Sequence, residues 1–307
     1  MIDVIEALLH DAVAAGTTYL LGTIGEIITE RSGVQNLGIE GMMIMGAVVG
    51  FGVTSTTRNV WLALAAAALI GGLVALVHAF LSITLRRNQI VSGLALTMFG
   101  VGLSGLLGKA YVGLPLPSKL PKFYVPLLGD LPILGPFLFR HDLLTYLSLV
   151  LVPVLWYVLF RTNFGVIIRS VGENPAAVDA LGVSVEKMRY VCTFVGGVLA
   201  GLAGAYLSLS YTPAWSEGMT VGKGWIVVGL TIFAMWGPQR ALLGAYLFGG
   251  VEVLQFRLQP YGVSASLLAT LPYIATIAAL LIGASERMRK RIGAPSALGK
   301  PYIRGEK

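Results

Sequence analysis

Long apolar runs, separated by short polar or proline-rich stretches, dominate this chain. Roughly 20 apolar residues of helix cross a bilayer hydrocarbon core of about 30 Å, and most of the runs approach that length. They lie at about residues 12–28, 36–53, 60–85, 89–111, 143–160, 191–211, 223–236, 241–258 and 268–285. The pattern predicts an all-α polytopic membrane protein with about nine transmembrane helices, or eight to ten because 223–236 is short.

The largest interruption, at residues 112–142, is rich in proline. Proline removes a backbone donor and clashes with the preceding helical turn, so we expect a loop there without a long regular helix. Its prolines are Pro115, Pro117, Pro121, Pro126, Pro132 and Pro136.

The longest markedly polar segment between two apolar runs is 169–189, RSVGENPAAVDALGVSVEKMR. Asn174 is a favourable N-cap, Pro175 suits the first helical position, and Gly182 supplies a C-terminal stop. The segment therefore predicts a short helix, within a loop at 161–190, that docks on another protein. The apolar face of this helix would consist of Ala176, Ala177, Ala180 and Leu181.

Composition excludes a soluble globular domain. Only 12% of the 307 residues are charged, against roughly 25% in soluble domains, and the mean hydropathy is +0.79. The basic residues behind the net charge of +7 lie between and after the apolar runs, so they indicate membrane orientation and not nucleic-acid binding. Cys192 is the only cysteine, which excludes an internal disulfide and a cysteine metal site.

The basic C-terminal tail sets the predicted orientation, because positive charge favours the cytoplasm. Counting back from a cytoplasmic C-terminus puts 161–190 on the cytoplasmic side and 112–142 outside. The predicted division is one transmembrane domain at 1–285 and a cytoplasmic tail at 286–307. The tail contains Arg287, Arg289, Lys290, Arg291, Lys300, Arg304 and Lys307.

Motifs for catalysis are missing. The sequence contains no G-x-x-x-x-G-K-[ST] phosphate loop and no H-E-x-x-H pair, and its histidines lie on different segments. A match to G-x-G-x-x-G at 100–105 lies inside an apolar run without a preceding strand, so helix packing is the preferred interpretation. We predict no catalytic residue, no metal site and no cofactor on this chain, and no enzymatic activity.

Glycines four residues apart predict close contact between helices. The pairs are Gly46-x-x-x-Gly50 and Gly197-x-x-x-Gly201. Inside a bilayer, small residues let helix backbones approach each other. Ordinary packing is the preferred interpretation, and smooth surfaces that slide during transport are the alternative that the sequence leaves open.

Ionisable residues inside apolar runs are costly and normally face a cavity or a partner. Asn36 and Glu40 are four residues apart and would share a helix face. They are either the lining of a path for a hydroxylated solute or a structural hydrogen-bonding pair, and both interpretations stay open. Glu26 is interpreted as interfacial, and Arg257 is a candidate structural partner for Glu252.

Aromatic and amide side chains are further candidates for a solute path, because rings stack on a sugar or nucleobase and amides bind its edges. Taken singly, each is more readily a packing or membrane-interface residue. His78, alone in an apolar run, is interpreted as a satisfied interior histidine. The predicted path residues are Asn36, Glu40, Asn88, Gln89, Phe99 and Trp225, with Tyr19 and Trp236 as further candidates.

Two segments resemble a known family. The run SGVQNLGIEGMM at 32–43, followed by Gly46-Ala47, resembles the second-helix signature of ABC-importer permeases for branched-chain amino acids, simple sugars and nucleosides. GENPAA at 172–177, followed by Gly182-Val183, resembles the cytoplasmic coupling loop of these permeases. The run from Gly196 to Ala205 is also similar, and the resemblance extends over about residues 22–283.

The resemblance implies a permease subunit of an ABC importer in the cytoplasmic membrane of a bacterium. Its path would carry a nucleoside, our first choice, or a simple sugar. A separate ATPase subunit would bind ATP and magnesium, and an extracellular substrate-binding lipoprotein would deliver the solute. A second permease subunit, either a homologue or another copy of this chain, would pair with it. The coupling residues would be Glu173, Asn174, Pro175, Ala176, Ala177, Ala180, Leu181 and Gly182.

Three alternatives remain. A permease for branched-chain amino acids belongs to the same family. An ion-coupled secondary transporter would also have glycine-rich helices and buried carboxylates, but it would not need a capped polar helix between two spans. A membrane-embedded enzyme is disfavoured because the sequence shows no cluster of histidine, aspartate or cysteine.

Overall fold

The computed structural model describes residues 2–132, 134–268, 270–283 and 293–304. Within these ranges the chain is built from helices. In chain order they are α1 (Ile2–Arg31), α2 (Ile39–Thr57), α3 (Val60–Ala79), α4 (Gln89–Gly108), α5 (Leu134–Leu138), α6 (Leu143–Arg161), α7 (Asn163–Glu173), α8 (Pro175–Ala180), α9 (Val185–Tyr206), α10 (Lys223–Phe233), α11 (Pro238–Leu258), α12 (Ala265–Leu268) and α13 (Leu271–Gly283). π-helical turns extend α3 and α9 at Phe80–Thr84 and Leu207–Tyr211.

The prediction of an all-α polytopic membrane protein is confirmed. Within the described ranges, seven helices are long and apolar enough to cross a membrane, and two shorter apolar helices lie at Lys223–Phe233 and Ser266–Ala278. The first short helix lies within the predicted segment 223–236, and the second overlaps the predicted segment 268–285. The proline-rich loop contains one five-residue helix, α5, as the loss of backbone donors requires.

Glycines bring α9 into close contact with α2 and α3. A Cβ added at Gly46 of α2 would overlap the backbone of Gly201 in α9, and one added at Gly71 of α3 would overlap the backbone of Gly197. Gly100 of α4 is pressed in the same way against Gly41 of α2. The packing interpretation of these glycines is confirmed, because backbone approach at this distance leaves no room for a side chain.

The chain turns back into the bundle before α2 begins. Asn36 Nδ2 donates to Glu26 Oε2 over 3.1 Å, and Glu26 lies more than one helical turn inside the end of α1, about 7 Å from Arg31 along the axis. The prediction that Asn36 and Glu40 share a helix face is wrong, because α2 starts only at Ile39. Asn36 Oδ1 instead accepts from the Gly38 backbone N–H at 3.0 Å, a local turn that competes with helix.

Glu26 is buried against the protein in this contact, since only 1% of its surface is exposed. Its interfacial position in the membrane stays a prediction. Asn36 does form a structural hydrogen bond, but its partner is Glu26 of α1 and not Glu40.

α10 is a half-length helix that lies between two irregular segments. Residues 212–222 precede it, and Ala234–Gly237 separate it from α11. Met235 and Trp236 have φ values of 48° and 52°, a left-handed backbone that side chains rarely adopt. The end of α1 holds this break: Trp236 Nε1 donates to Glu30 Oε2 at 2.6 Å, and Arg31 Nε donates to the Trp236 carbonyl at 3.2 Å.

Candidate functional site

The polar segment 169–189 folds at one end of the bundle, which we call the α8 end. It carries two short helices, α7 and α8, where the sequence predicted one. Asn174 Oδ1 accepts from the Ala177 N–H at 3.1 Å, Pro175 occupies the first turn of α8, and Gly182 takes a φ of +81° just after it. The predicted cap, first residue and stop of the docking helix are therefore confirmed.

Val178 anchors α8 to the bundle, and the alanines of α8 are exposed. Val178 is buried in a small cluster with Val171 and Val185, against which Tyr302 packs. Leu181 is 83% exposed. The remaining outward residues of the apolar face are Ala176, Ala177 and Ala180.

The C-terminal segment 293–304 covers part of this end, which the sequence did not predict. Glu173 Oε2 accepts from Ser296 Oγ at 2.7 Å, and Asp179 forms an ion pair with Arg304 at 2.9 Å. The buried Arg189 ties the segment to the start of the α1–α2 loop, since its guanidinium donates to the carbonyls of Lys300 and Ser32, both at 3.2 Å. The other predicted tail residues, 286–292 and 305–307, lie outside the described residues.

A cavity of about 620 Å³ lies between α1, the segment 212–222, α10, α11 and α13. Its volume falls within the roughly 300–1,000 Å³ of small-molecule sites. Aromatic and polar side chains make up most of its lining, beside a few aliphatic ones. They include Tyr19, Tyr211, Thr212, Ser216, Lys223, Glu252, Gln255, Phe256 and Tyr273.

An ion pair crosses this cavity near the middle of the bundle. Lys223 Nζ lies 2.7 Å from both carboxylate oxygens of Glu252, and the Tyr19 hydroxyl donates to Glu252 Oε2 at 2.5 Å. Tyr19 is close to the midpoint of the apolar span Ile5–Arg31. Lys223 also lies 5.1 Å from the centre of the Tyr19 ring, within the range of a cation–π contact.

The predicted partner of Glu252 was wrong. Arg257 instead pairs with Asp11 at 2.9 Å, because residues five apart on a helix do not face each other. The partner that the structure reveals, Lys223, is the first residue of α10.

Glu40 forms a hydrogen bond at the N-terminal end of α10. Its Oε1 accepts from the backbone N–H of Gly222 at 2.9 Å, and among the described residues its Oε2 has no hydrogen-bond partner. Gly222 has a φ of +82° and ends the irregular segment that lines the cavity. Irregular backbone within a membrane bundle is tolerated where it is buried in protein or lines a water-filled cavity.

The six predicted path residues do not meet in one place, and none is among the described residues that line the cavity. Gln89 Oε1 accepts from the Gln35 N–H at 2.7 Å, and Asn88 caps α4. Phe99 and Trp225 are 60% and 44% exposed. Their role in the path stays a prediction. Tyr19, considered only as a further candidate, does line the cavity.

His78 is confirmed as a satisfied interior histidine. Its surface is fully buried. One ring nitrogen lies 3.1 Å from Ser92 Oγ and the other lies 3.0 Å from the Gln35 carbonyl. The ring therefore supports the α1–α2 loop and has no free nitrogen for chemistry.

The sequence of this chain is similar to those of known membrane permeases, in agreement with its bundle of apolar helices. A family model described as "Branched-chain amino acid transport system / permease component" matches residues 8–280. The chain belongs to this permease family. Over 97% of both chains the permease is 41% identical to the putative glucose ABC transporter permease protein TsgC13 of Haloferax volcanii. It is 34% identical to the guanosine ABC transporter permease protein NupQ of Bacillus subtilis, over 100% of this chain and 99% of the relative.

A third relative is the nucleoside ABC transporter permease protein NupC of Lactococcus lactis, 30% identical over 100% of this chain and 99% of the relative. The permease is thus a multi-pass membrane subunit of an ABC transporter. Its role is transport and not enzymatic catalysis.

Proposed function

We propose that this permease forms the translocation path of an ABC importer for a nucleoside, with a simple sugar as the alternative solute. The observation that carries the proposal is full-length similarity to permeases named for guanosine, nucleosides and glucose. The tyrosine-rich cavity supports it, because aromatic rings stack on the flat faces of bases and sugars. A branched-chain amino acid, which the family description names, is the competing solute.

The α8 end faces the cytoplasm in this proposal, and so does the C-terminus. Basic residues are more numerous there, as the positive-inside rule requires. At the α8 end lie Arg86, Arg87, Arg161, Arg169, Lys187, Arg240, Lys300 and Arg304, against Arg58, Lys109, Lys119, Lys122, Arg140 and Arg257 at the other end. The proline-rich loop then lies outside, where a substrate-binding lipoprotein would deliver the solute.

α8 is the proposed contact with a separate ATPase subunit, which binds ATP and magnesium. Because its outward residues are small alanines, α8 can lie close to a groove on the ATPase subunit. Val178 anchors α8 to the same cluster as Val185, the first residue of α9. A displacement of α8 therefore reaches α9, which packs through its glycines against α2 and α3. A second permease subunit, a homologue or another copy of this chain, completes the path.

The coupling role is tested with Ala177→Trp. Ala177 is exposed and its backbone N–H alone serves the cap, so the bulky ring adds volume only on the outward face. We expect the tagged permease to lose its ATPase subunit on co-purification, while its melting temperature stays unchanged. Ala110→Trp is the matched control, since Ala110 is also exposed but lies at the opposite end; it should retain the ATPase. Equal recovery of the ATPase with both variants would show that α8 is not the contact.

A further inference from the structure

The ion pair of Lys223 and Glu252 joins two buried charges near the middle of the bundle. Both side chains are mostly buried, with 16% and 8% of their surface exposed. A buried ion pair is weak evidence for stability, because its desolvation cost offsets much of the attraction between the charges. Ionisable residues at this depth are functional candidates by default, and this pair lines the cavity of about 620 Å³.

We propose that Lys223, Glu252 and Tyr19 bind two adjacent hydroxyls of a sugar ring, the vicinal diol that ribonucleosides and simple sugars share. The inference rests on the proposed function and specifies the part of the solute that the cavity binds. A hydroxyl is both a donor and an acceptor, so one hydroxyl donates to Glu252 while its neighbour accepts from Lys223.

The hydrogen bonds of the pair leave room for such a ligand. Glu252 Oε1 accepts from Lys223, and Oε2 accepts from Lys223 and Tyr19. The Tyr211 hydroxyl, which a solute hydroxyl can displace, also interacts with the carboxylate. An ionised carboxylate offers about four acceptor positions. Lys223 donates to the Tyr19 hydroxyl over 3.4 Å, the longest contact of the group. A solute hydroxyl can replace that contact without separating the two charges.

The neutrality of the pair suits an uncharged solute. Because Lys223 and Glu252 remain in contact, a neutral diol meets no unpaired charge in the low-dielectric bundle. Tyr211, Tyr273 and Phe256 also line the cavity and supply flat surfaces for the ring or for an attached base. A zwitterionic amino acid differs, because its ammonium and carboxylate groups would compete with Lys223 and Glu252 for each other's charge.

The pair is also positioned to respond to the transport cycle. Lys223, Glu252 and Tyr19 belong to three different helices, α10, α11 and α1. Lys223 is the first residue of α10. The start of α10 is fixed by the hydrogen bond from Gly222 to Glu40, and its end is fixed by the hydrogen bond from Trp236 to Glu30. A rotation of α10 relative to α11 would separate Lys223 from Glu252. Loss of this geometry would release the diol.

Uptake by the complete transport system, in cells that lack other nucleoside and sugar transporters, tests the proposal. The probes are tritiated guanosine, 2′-deoxyguanosine, ribose, glucose and leucine. Removal of one hydroxyl deletes one hydrogen bond to a charged group, so 2′-deoxyguanosine uptake should be at least about tenfold below that of guanosine. If glucose or ribose is the solute taken up, its 2-deoxy analogue should show the same loss.

The double variant Lys223→Met/Glu252→Met separates binding from structure. It removes both charges at similar volume, a change that buried pairs often tolerate. We expect the variant to assemble with the ATPase and to lose at least tenfold in uptake. Arg257→Met/Asp11→Leu is the matched control, because it removes another ion pair between α1 and α11 that does not line the cavity.

The outcomes distinguish the two levels of the proposal. Uptake of guanosine that is equal to that of 2′-deoxyguanosine, or unchanged in the Lys223→Met/Glu252→Met variant, overturns diol binding and leaves the proposed function standing. If the variant fails to assemble, binding of tritiated guanosine and 2′-deoxyguanosine to the purified wild-type permease complex without the lipoprotein decides, and equal binding of the two overturns diol binding. Uptake of leucine and of none of the nucleosides or sugars overturns both.

Discussion

Replacing Gly204 by alanine is expected to destabilise the contact between α2 and α9. A Cβ at Gly204 would overlap the carbonyl oxygen of Met43 and approach the Met43 Cα to 3.0 Å. The obstacle is the backbone of a neighbouring helix, which cannot rotate away as a side chain does. The two helices must therefore move apart along a surface that is close-packed on both sides.

The magnitude follows from two opposing effects. Overpacking of a tight core costs about 1–3 kcal/mol, and the rigid obstacle puts Gly204→Ala near the upper end. Alanine is the better helix former by about 1 kcal/mol. The net loss in free energy of unfolding is thus about 2 kcal/mol, which corresponds to a decrease of roughly 3 °C in Tm for a chain of 307 residues.

The single cysteine provides the assay. Cys192 is 1% exposed and lies in α9 itself, so a thiol-reactive dye labels it only when the bundle opens. Thermal melts of the purified permease in detergent would follow the labelling of Cys192 in the wild type and in Gly204→Ala.

Gly102→Ala is the control for helix propensity. Gly102 lies inside α4, and an added Cβ there would have no described atom within 4 Å. This variant should melt at the wild-type temperature or slightly above it. The packing argument is refuted if Gly204→Ala melts with the wild type, or if both variants lose the same number of degrees.

Two other changes test the two ends of the bundle. At the proline-rich end, burial lowers the pKa of His141 from 6.5 to about 4, with a smaller contribution from the nearby His10 ring. The unfolded chain therefore takes up the proton first, and stability should fall by up to about 3 kcal/mol as the pH falls from 6.5 to 4. Melts followed by tryptophan fluorescence should show a smaller loss in His141→Gln, and equal pH slopes would contradict the assignment. At the α8 end, Arg189→Met removes the hydrogen bonds to Ser32 and Lys300. Chymotrypsin should therefore cleave after Tyr302, which packs on the Val178 cluster, at least about tenfold faster, whereas Lys187→Met on the exposed face of the same helix should leave the rate unchanged.

Local chemistry explains which predictions were confirmed. The cap, the first residue and the stop of α8 depend on residues within nine positions of one another, so Asn174, Pro175 and Gly182 are sufficient to define them. The same applies to the prolines of 112–142. Glycine spacing predicted close packing correctly because the absence of a side chain is itself the physical cause.

Contacts between distant segments explain the rest. The Asn36 prediction was wrong because a turn at Asn36–Gly38 competes with helix and wins once Glu26 accepts the Asn36 amide. The role of Lys223 was missed because an isolated lysine before an apolar run is typical of a membrane interface. Pro213 and the nearby glycines predict a turn or a short re-entrant element at residues 212–222, but they do not indicate which side chains the following helix will meet.

The sequence by itself determined the class of this protein: an all-α membrane permease with an anchored, capped helix between two spans and glycine-lined contacts. Only the tertiary structure decided which buried charges meet. Helices that are apolar on most sides do not encode their own rotation or depth, and the Lys223–Glu252 pair exists because α10 starts halfway through the bundle beside α11. The C-terminal segment likewise reaches Glu173, Asp179 and Arg189 through the fold and not through any signal in its own residues.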